Sequence, residues 1–201
     1  MKKRYLRFTT PVGTALWPHL NTPDTKFDKD GSYSVNLILD KEETETIKTQ
    51  LSKVLEEFIA TGESVSKKKA ALPIKEDKDK EGNPTGNYQI KFKLRAVGQS
   101  RGERWEQRPS LFDSQGIPLT EDIGNGSKIK VGAEVVPYST AMAGTGVSLR
   151  LKAVQVIELQ SANGGDNFDS WSFNKEEGFT TSGEQKEVTQ EVEEGDGPFD
   201  F

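Results

Sequence analysis

Apolar and polar residues alternate along several short stretches of the chain, and this period of two residues predicts β-strands with one buried face. In the stretch Tyr88–Gly98, the residues Ile90, Phe92 and Leu94 fall on one face, while the positions between them are polar or charged. The same alternation marks the predicted strands Ser32–Leu39, Lys128–Tyr138 and Val147–Leu159. Tyr5–Trp17 is a further predicted strand because it is rich in Thr, Val and aromatic residues, although Pro11 and Gly13 break it. Together with a short extended piece within Pro109–Leu119, the pattern predicts five or six strands.

One stretch has helical rather than strand periodicity. Asp40 is a predicted N-cap, acidic residues follow it in the first turns, and Gly62 ends the pattern. Apolar residues recur between them at helical spacing, at Ile47, Leu51, Val54, Leu55, Phe58 and Ile59. We expect this apolar stripe to pack against the sheet, and the alternative is a surface that binds a partner protein.

Three segments between these elements are predicted to be loops. They are Pro18–Asp24, rich in Pro, Asn and Asp; Lys75–Asn87, with charges of both signs; and Ser100–Arg108. Several strands with one inserted helix are typical of a small barrel, of which the OB-fold is the five-stranded form that binds oligonucleotides. We therefore predict a mainly β, OB-fold-like barrel of five or six strands with one inserted α-helix.

Charge is distributed unevenly over the 201 residues, whose formal net charge is −5. Residues 160–201 include eleven acidic and two basic residues, whereas residues 1–159 include 25 basic and 21 acidic ones. The apolar periodicity also stops after Leu159, and the hydrophobic content of the whole chain is only 32%. We predict a mildly basic barrel domain over residues 1–159 and a flexible, disordered acidic tail over residues 160–201.

Composition excludes several classes of enzyme. The chain has no cysteine, and His19 is its only histidine, so neither a catalytic triad nor a multi-histidine metal site can form. We predict no enzymatic activity, no cofactor and no bound metal; the alternative is a nuclease that holds Mg²⁺ with carboxylates alone. No apolar stretch follows Met1–Arg4 or reaches the roughly 20 residues that span a bilayer. We therefore expect the protein to work in the cytoplasm.

Three cations on one predicted strand are the first candidates for a binding site. Lys91, Lys93 and Arg95 fall on the face opposite the apolar residues, and alternate strand residues are about 7 Å apart. Because three like charges in a row repel one another, an extended polyanion lying across them would explain their position. The alternative is a sheet face whose charges are simply solvated.

Further cations and aromatic rings occur in the same pattern or in nearby loops. Proteins that bind single strands need cations for the phosphates and rings for base stacking. The phosphate candidates are completed by Arg104, Arg108, Lys130, Arg150 and Lys152. The stacking candidates are Trp105, Tyr138 and Trp17, although Trp17 could instead pack in the core. These residues predict a nucleic-acid-binding domain over residues 1–159.

The C-terminus combines acidic residues with aromatic rings. The residues concerned are Glu193, Glu194, Asp196, Phe199, Asp200 and Phe201. A terminal Phe offers an apolar ring and a free carboxylate among negative charges, which a basic pocket on a partner can recognise. The alternative is a tail that serves only solubility.

Several stretches resemble the OB-fold single-stranded DNA-binding proteins of tailed phages. They are the run from Trp17-Pro18-His19-Leu20 to Tyr33-Ser34-Val35, the helix after Leu39, the segment Gly146–Val156 and the acidic tail that ends at Phe201. The resemblance implies a barrel that binds single-stranded DNA without sequence preference in replication, recombination and repair. It also implies a tail, at the six residues named above, that recruits the replicative DNA polymerase and the helicase/primase and competes with DNA.

The resemblance implies action in the cytoplasm of an infected bacterial host. Exchange of tails between two copies would make a homodimer, although nothing in the sequence requires one. The alternative function is that of an adaptor whose basic face binds an acidic protein.

Overall fold

Ten strands and one helix make up the part of the chain that the computed structural model describes, residues 5–26, 28–66, 68–100 and 102–161. The elements are β1 Leu6–Thr9, β2 Gly13–Asp24, β3 Ser32–Leu39, α1 Lys41–Ala60, β4 Ile74–Lys78, β5 Pro84–Arg95, β6 Val97–Ser100, β7 Glu103–Glu106, β8 Ser110–Phe112, β9 Lys128–Thr140 and β10 Gly144–Glu158. The predicted fold class, mainly β with one inserted helix, is confirmed.

Five of these strands close into a barrel. The ring runs β2–β3–β5–β10–β9 and returns from β9 to β2. Every neighbouring pair in the ring is antiparallel except β5 and β10, which are parallel. A closed five-stranded ring is the OB arrangement, so the predicted OB-fold-like barrel is confirmed. The additional strands lie on its edges, with β1 on β9, β4 on β5 and β8 on β10.

Alternation along the strands produces the core. Ile90, Phe92 and Leu94 of β5 are buried, as are Leu149 and Leu151 of β10, while the residues between them lie on the outer face. Phe92 is the largest fully buried side chain among the described residues, and the Phe8 ring packs near it with 6.4 Å between ring centroids. The buried faces of the five strands therefore meet inside the barrel and leave the outer face for polar and charged side chains.

The helix begins where the sequence predicts. The Asp40 side chain accepts a hydrogen bond of 2.8 Å from the backbone N–H of Glu43, which satisfies a free donor of the first turn. Thr44, Ile47 and Leu51 are buried against the barrel. The packing interpretation of the apolar stripe is therefore confirmed, and the alternative of a partner-binding surface is wrong.

The three loop predictions are wrong. Pro18–Asp24 belongs to β2, Lys75–Asn87 forms the hairpin of β4 and β5, and Ser100–Arg108 contains part of the β6–β7 hairpin. Proline is tolerated in β2 because this strand pairs with β9 only at Gly13 and Thr14, so most of that edge needs no N–H donor. Hairpin β4–β5 is stabilised by a buried Asp77 side chain, which accepts hydrogen bonds from Thr85 and Gln89.

The first two residues of the predicted tail belong to the barrel instead, since Gln160 bonds Ser127 and Gly124 and Ser161 forms a bridge with Ile123. The rest of the predicted tail lies outside the described residues, as do all six residues of its predicted recruiting site: Glu193, Glu194, Asp196, Phe199, Asp200 and Phe201. Within the described part of the chain, α1 is the only helix, and it is not apolar enough to cross a membrane.

Candidate nucleic-acid interface

The outer face of β5 presents the three cations that the alternation predicted. Lys91, Lys93 and Arg95 are all exposed. Their partners on β3 are small uncharged polar residues, Asn36, Ser34 and Ser32 respectively. The cations of β5 thus adjoin a strip of uncharged residues on β3. In the OB-fold this pair of strands forms the surface that receives oligonucleotides.

Arg150 of β10 lies beside the middle cation of this row. It is paired in register with Lys93, and paired residues of neighbouring strands share a face. Lys152, also exposed, follows two residues further along β10 at a β-bulge between Leu151 and Ala153. The structure therefore brings together Lys91, Lys93, Arg95, Arg150 and Lys152, and we call these five residues the cationic face.

Arg150 is not a free cation, because a carboxylate lies next to it. Glu134 of β9 is its register partner on the other side, and a guanidinium nitrogen of Arg150 is 3.6 Å from Glu134 Oε2. Arg7 of β1 contacts the same carboxylate at 3.0 Å, and the Arg150 guanidinium lies 5.3 Å from the centre of the Tyr5 ring. The Glu134 side chain is only 10% exposed. The sequence did not indicate a role for Glu134, because its partners Arg7 and Arg150 are distant from it in the chain.

A β-bulge turns Trp17 away from the barrel. Leu16 pairs with Asn36 and His19 with Ser34, so β2 has two residues where β3 has one. Trp17 is the only described residue other than glycine with a positive φ, 48°, and its N–H donates to Asn125 Oδ1 at 2.8 Å. The side chain is 62% exposed. The core alternative for Trp17 is therefore wrong, and its backbone conformation is one that bulky residues rarely adopt.

His19 extends the row at the level of Lys93. It is exposed and pairs with Ser34, which in turn pairs with Lys93. The outer face at this level therefore runs from His19 through Ser34 and Lys93 to Arg150. The sequence did not predict this neighbourhood, because Pro18–Asp24 was expected to be a loop. Only the pairing of β2 with β3 places His19 on the same face as Lys93.

The predicted residues on the β6–β7 hairpin and just after it have different surroundings. Arg104 forms an exposed ion pair of 2.6 Å with Asp30, so its charge is already partly balanced. Trp105 lies over Gly98, where a Cβ would collide with its ring, and it is 47% exposed. Arg108 lines a cleft of about 460 Å³. The cleft is bounded by Pro23, Asp30, Tyr33, Ala96, Val97, Glu106, Gln107 and Arg108.

Lys130 and Tyr138 lie at opposite ends of the β9–β10 ladder. Lys130 is half-buried and pairs with Gln155, three residues beyond Lys152, so it continues the cationic face at that end. Tyr138 is also half-buried and pairs with Gly146, and a Cβ at Gly146 would lie 2.8 Å from the Tyr138 hydroxyl. Tyr138 therefore rests on the ladder at the level of the hairpin that joins β9 to β10.

Two titratable groups among the described residues are perturbed, and both lie outside this face. A side-chain hydrogen bond to Glu45 raises the pKa of Lys48 on α1 above its usual value. A backbone hydrogen bond from Asn83 lowers the pKa of Asp79 in the turn between β4 and β5. Among the described residues, no three acidic or histidine side chains converge to hold a metal ion.

A closed OB barrel with cations and exposed rings on its outer face defines a nucleic-acid-binding protein. The family described as single-stranded DNA-binding protein of bacteriophage T7 matches residues 13–159. The single-stranded DNA-binding protein of Enterobacteria phage T3 is 31% identical over 209 residues, which cover 92% of this chain and 90% of the relative. The chain belongs to this phage family of single-stranded DNA-binding proteins, which is not a family of enzymes.

Other relatives agree in sequence and in fold. The single-stranded DNA-binding protein of Escherichia phage T7 is 34% identical over 139 residues, which cover 66% of this chain and 59% of the relative. The crystal structure of gp2.5, the single-stranded DNA-binding protein of phage T7, has a TM-score of 0.66 at 26% identity, covering 88% of this chain and 99% of that one. The phage Enc34 single-stranded DNA-binding protein in complex with single-stranded DNA shares the fold, with a TM-score of 0.53 at 20% identity and coverage of 77% and 88%.

Proposed function

We propose that the outer face of the barrel binds single-stranded DNA without sequence preference and without catalysis. The observation that carries this proposal is the register pairing of Ser34, Lys93 and Arg150, which joins the cations of two strands into one surface. Phosphates lie along the cationic face, where each neutralised charge releases a counterion. Backbone phosphates are common to every sequence, so contacts to them carry no preference for particular bases.

The proposed stacking residues flank the cationic face. Trp17 lies on β2, one strand beyond β3, and Trp105 lies on the hairpin that follows the Arg95 end of β5. Tyr138 and the phosphate contacts of Arg108 and Lys130 lie at the ends of this path. Arg104 has a smaller role than its neighbours, because Asp30 already shares its charge.

A salt-dependent titration tests the proposal. Tryptophan quenching by oligo-dT should weaken steeply with salt, and the triple variant Lys91→Ala, Lys93→Ala, Arg95→Ala should lower the salt slope by about 0.7 for each lost phosphate contact. Lys53→Ala removes an exposed lysine of α1 and serves as the control. An unchanged slope in the triple variant would remove β5 from the DNA path, and binding of an acidic protein instead of DNA would favour the adaptor alternative.

We further propose that residues 1–161 form the DNA-binding domain and that residues 162–201 form a separate acidic tail. The tail would recruit the replicative DNA polymerase and the helicase/primase through Glu193, Glu194, Asp196, Phe199, Asp200 and Phe201. Its excess of negative charge supports a second role, competition with DNA for the cationic face. These contacts would place the protein in replication, recombination and repair in the cytoplasm of the infected host, and exchange of tails would give a homodimer.

Deletion of Gly195–Phe201 tests the tail. The shortened chain should bind oligo-dT more tightly at low salt, because it lacks competing charge, and should no longer bind the polymerase of the same phage. A control with Phe199 and Phe201 changed to Ala retains the acidic residues, so it should lose polymerase binding but keep the competition. Equal DNA affinity of the full-length and shortened chains would contradict the competition.

A further inference from the structure

A lysine-bearing segment is fixed against the end of β10. In a single parallel bridge, Lys69 pairs with Thr145: the Thr145 N–H donates to the Lys68 carbonyl at 2.7 Å, and the Ala70 N–H donates to the Thr145 carbonyl at 2.8 Å. The Thr145 hydroxyl also donates to the Ser66 carbonyl at 2.7 Å. Ser66, Lys68 and Ala70 are therefore each hydrogen-bonded to Thr145 through a backbone group.

Two glycines permit this close approach. A Cβ at Gly144 would lie 2.5 Å from the Lys68 carbonyl oxygen, and a Cβ at Gly146 would lie 2.9 Å from the Ala70 Cβ. Any side chain at Gly144 would therefore push the segment away from β10. Gly144 also has a φ of +87°, which L-residues with a side chain rarely adopt.

Register assigns the two lysines to different faces. Lys69 shares its face with Thr145, which is buried and belongs to the inner side of β10 with Val147 and Leu149. Lys68 is one residue earlier and so falls on the other face, which carries Gly146, Ser148 and Arg150. Both lysines are exposed, and neither has an ion-pair partner within the described residues.

We propose that Lys68 is a further phosphate contact and that it extends the DNA path from the cationic face to the β9–β10 hairpin. This inference rests on the proposed function. Lys68 lies beside Gly144. Gly144 precedes Arg150 by six residues on β10, which corresponds to roughly 20 Å of strand. Tyr138, which rests on Gly146, lies between the two cations on the same face. The hairpin end thus offers both a cation and a ring, the pair of contacts that an extended nucleic acid strand uses.

The extension predicts that Lys68 matters only for DNA long enough to reach it. Oligo-dT of about 4 and about 16 nucleotides, the limits of the site size for one OB-fold, separate the two cases. With the longer DNA, Lys68→Ala should lower the salt slope by about 0.7, whereas with the shorter DNA bound at the cationic face the slope should not change. Lys68→Arg retains the charge and should keep the slope of the unchanged protein.

Lys69→Ala is the matched control, since it removes the same charge from the neighbouring residue on the other face. Equal slopes for Lys68→Ala and the unchanged protein on the longer DNA, or equal losses in Lys68→Ala and Lys69→Ala, would overturn the inference. The proposed function is tested separately by Lys93→Ala on both DNA lengths. A lower slope in Lys93→Ala with no effect of Lys68→Ala refutes only the extension, whereas no effect of either variant refutes the DNA path itself.

Discussion

Lys93 of β5 and Arg150 of β10 lie side by side on the outer face of the barrel, paired in parallel register. Neither strand alone shows this relationship, since the two segments are far apart in the chain. The pairing turns one row of cations into a surface two strands wide. Within this surface Arg150 has a carboxylate neighbour and Lys93 has a serine, so the two cations are not equivalent.

Loss of either cation should weaken DNA binding in a way that depends on salt. Lys93→Ala should lower the slope of log affinity against log salt by about 0.7, the effect of one lost phosphate contact. Arg150→Ala should lower it by less, because Glu134 already balances part of the Arg150 charge. Titration of oligo-dT between low and moderate salt measures both slopes. The two losses should add in the double variant; a double variant no worse than either single one would show that the two side chains share one phosphate.

Removal of the negative charge at Glu134 should strengthen DNA binding. Glu134→Gln keeps the shape of the side chain but releases Arg150 and Arg7 from a carboxylate that now balances them. Affinity for oligo-dT should rise at low salt, and the salt slope should become steeper. Glu57→Gln on the exposed side of α1 removes the same charge and should leave affinity unchanged. A weaker affinity in Glu134→Gln would mean that Glu134 chiefly positions Arg150.

Trp17 should increase the affinity for DNA, while its strained backbone should lower the stability of the fold. Trp17→Gly relieves a left-handed conformation that costs roughly 1–2 kcal/mol, so the unfolding temperature should not fall. The same variant should lose about 1–3 kcal/mol of DNA affinity, the usual contribution of one stacked base. Trp17→Phe keeps an aromatic ring and should retain most of the affinity. A variant Trp17→Gly that unfolds at a lower temperature but binds DNA normally would assign Trp17 to packing.

Removal of the helix cap should affect stability alone. Asp40→Ala leaves the Glu43 N–H without its side-chain acceptor and should lower the free energy of unfolding by about 0.5–2 kcal/mol. Chemical denaturation measures this loss, and Asp40→Asn, which keeps an acceptor oxygen, should recover most of it. Affinity for oligo-dT should be the same in all three proteins; a large change would place α1 in the DNA path.

The sequence determined the local features of this protein. Strand alternation assigned Lys91, Lys93 and Arg95 to the outer face, and the Asp40 cap and apolar spacing located α1, because both depend on residues a few positions apart. Local composition gave the wrong prediction where pairing between distant strands determines the structure. The prolines of β2 and the charges of β4 indicated loops. Their strands form because an unpaired edge tolerates Pro18, and because Gln89 and Thr85 satisfy the Asp77 side chain.

Only the tertiary structure decided which cations lie next to one another and which are already paired. Nothing in the sequence indicates that Arg104 and Arg150 have acidic partners. Folding places Asp30 next to Arg104 and Glu134 next to Arg150. Folding likewise places His19 at the level of Lys93 and fixes Lys68 beside Gly144. Register between distant strands sets these neighbours, and register depends on how the whole barrel closes, which no single stretch of sequence specifies.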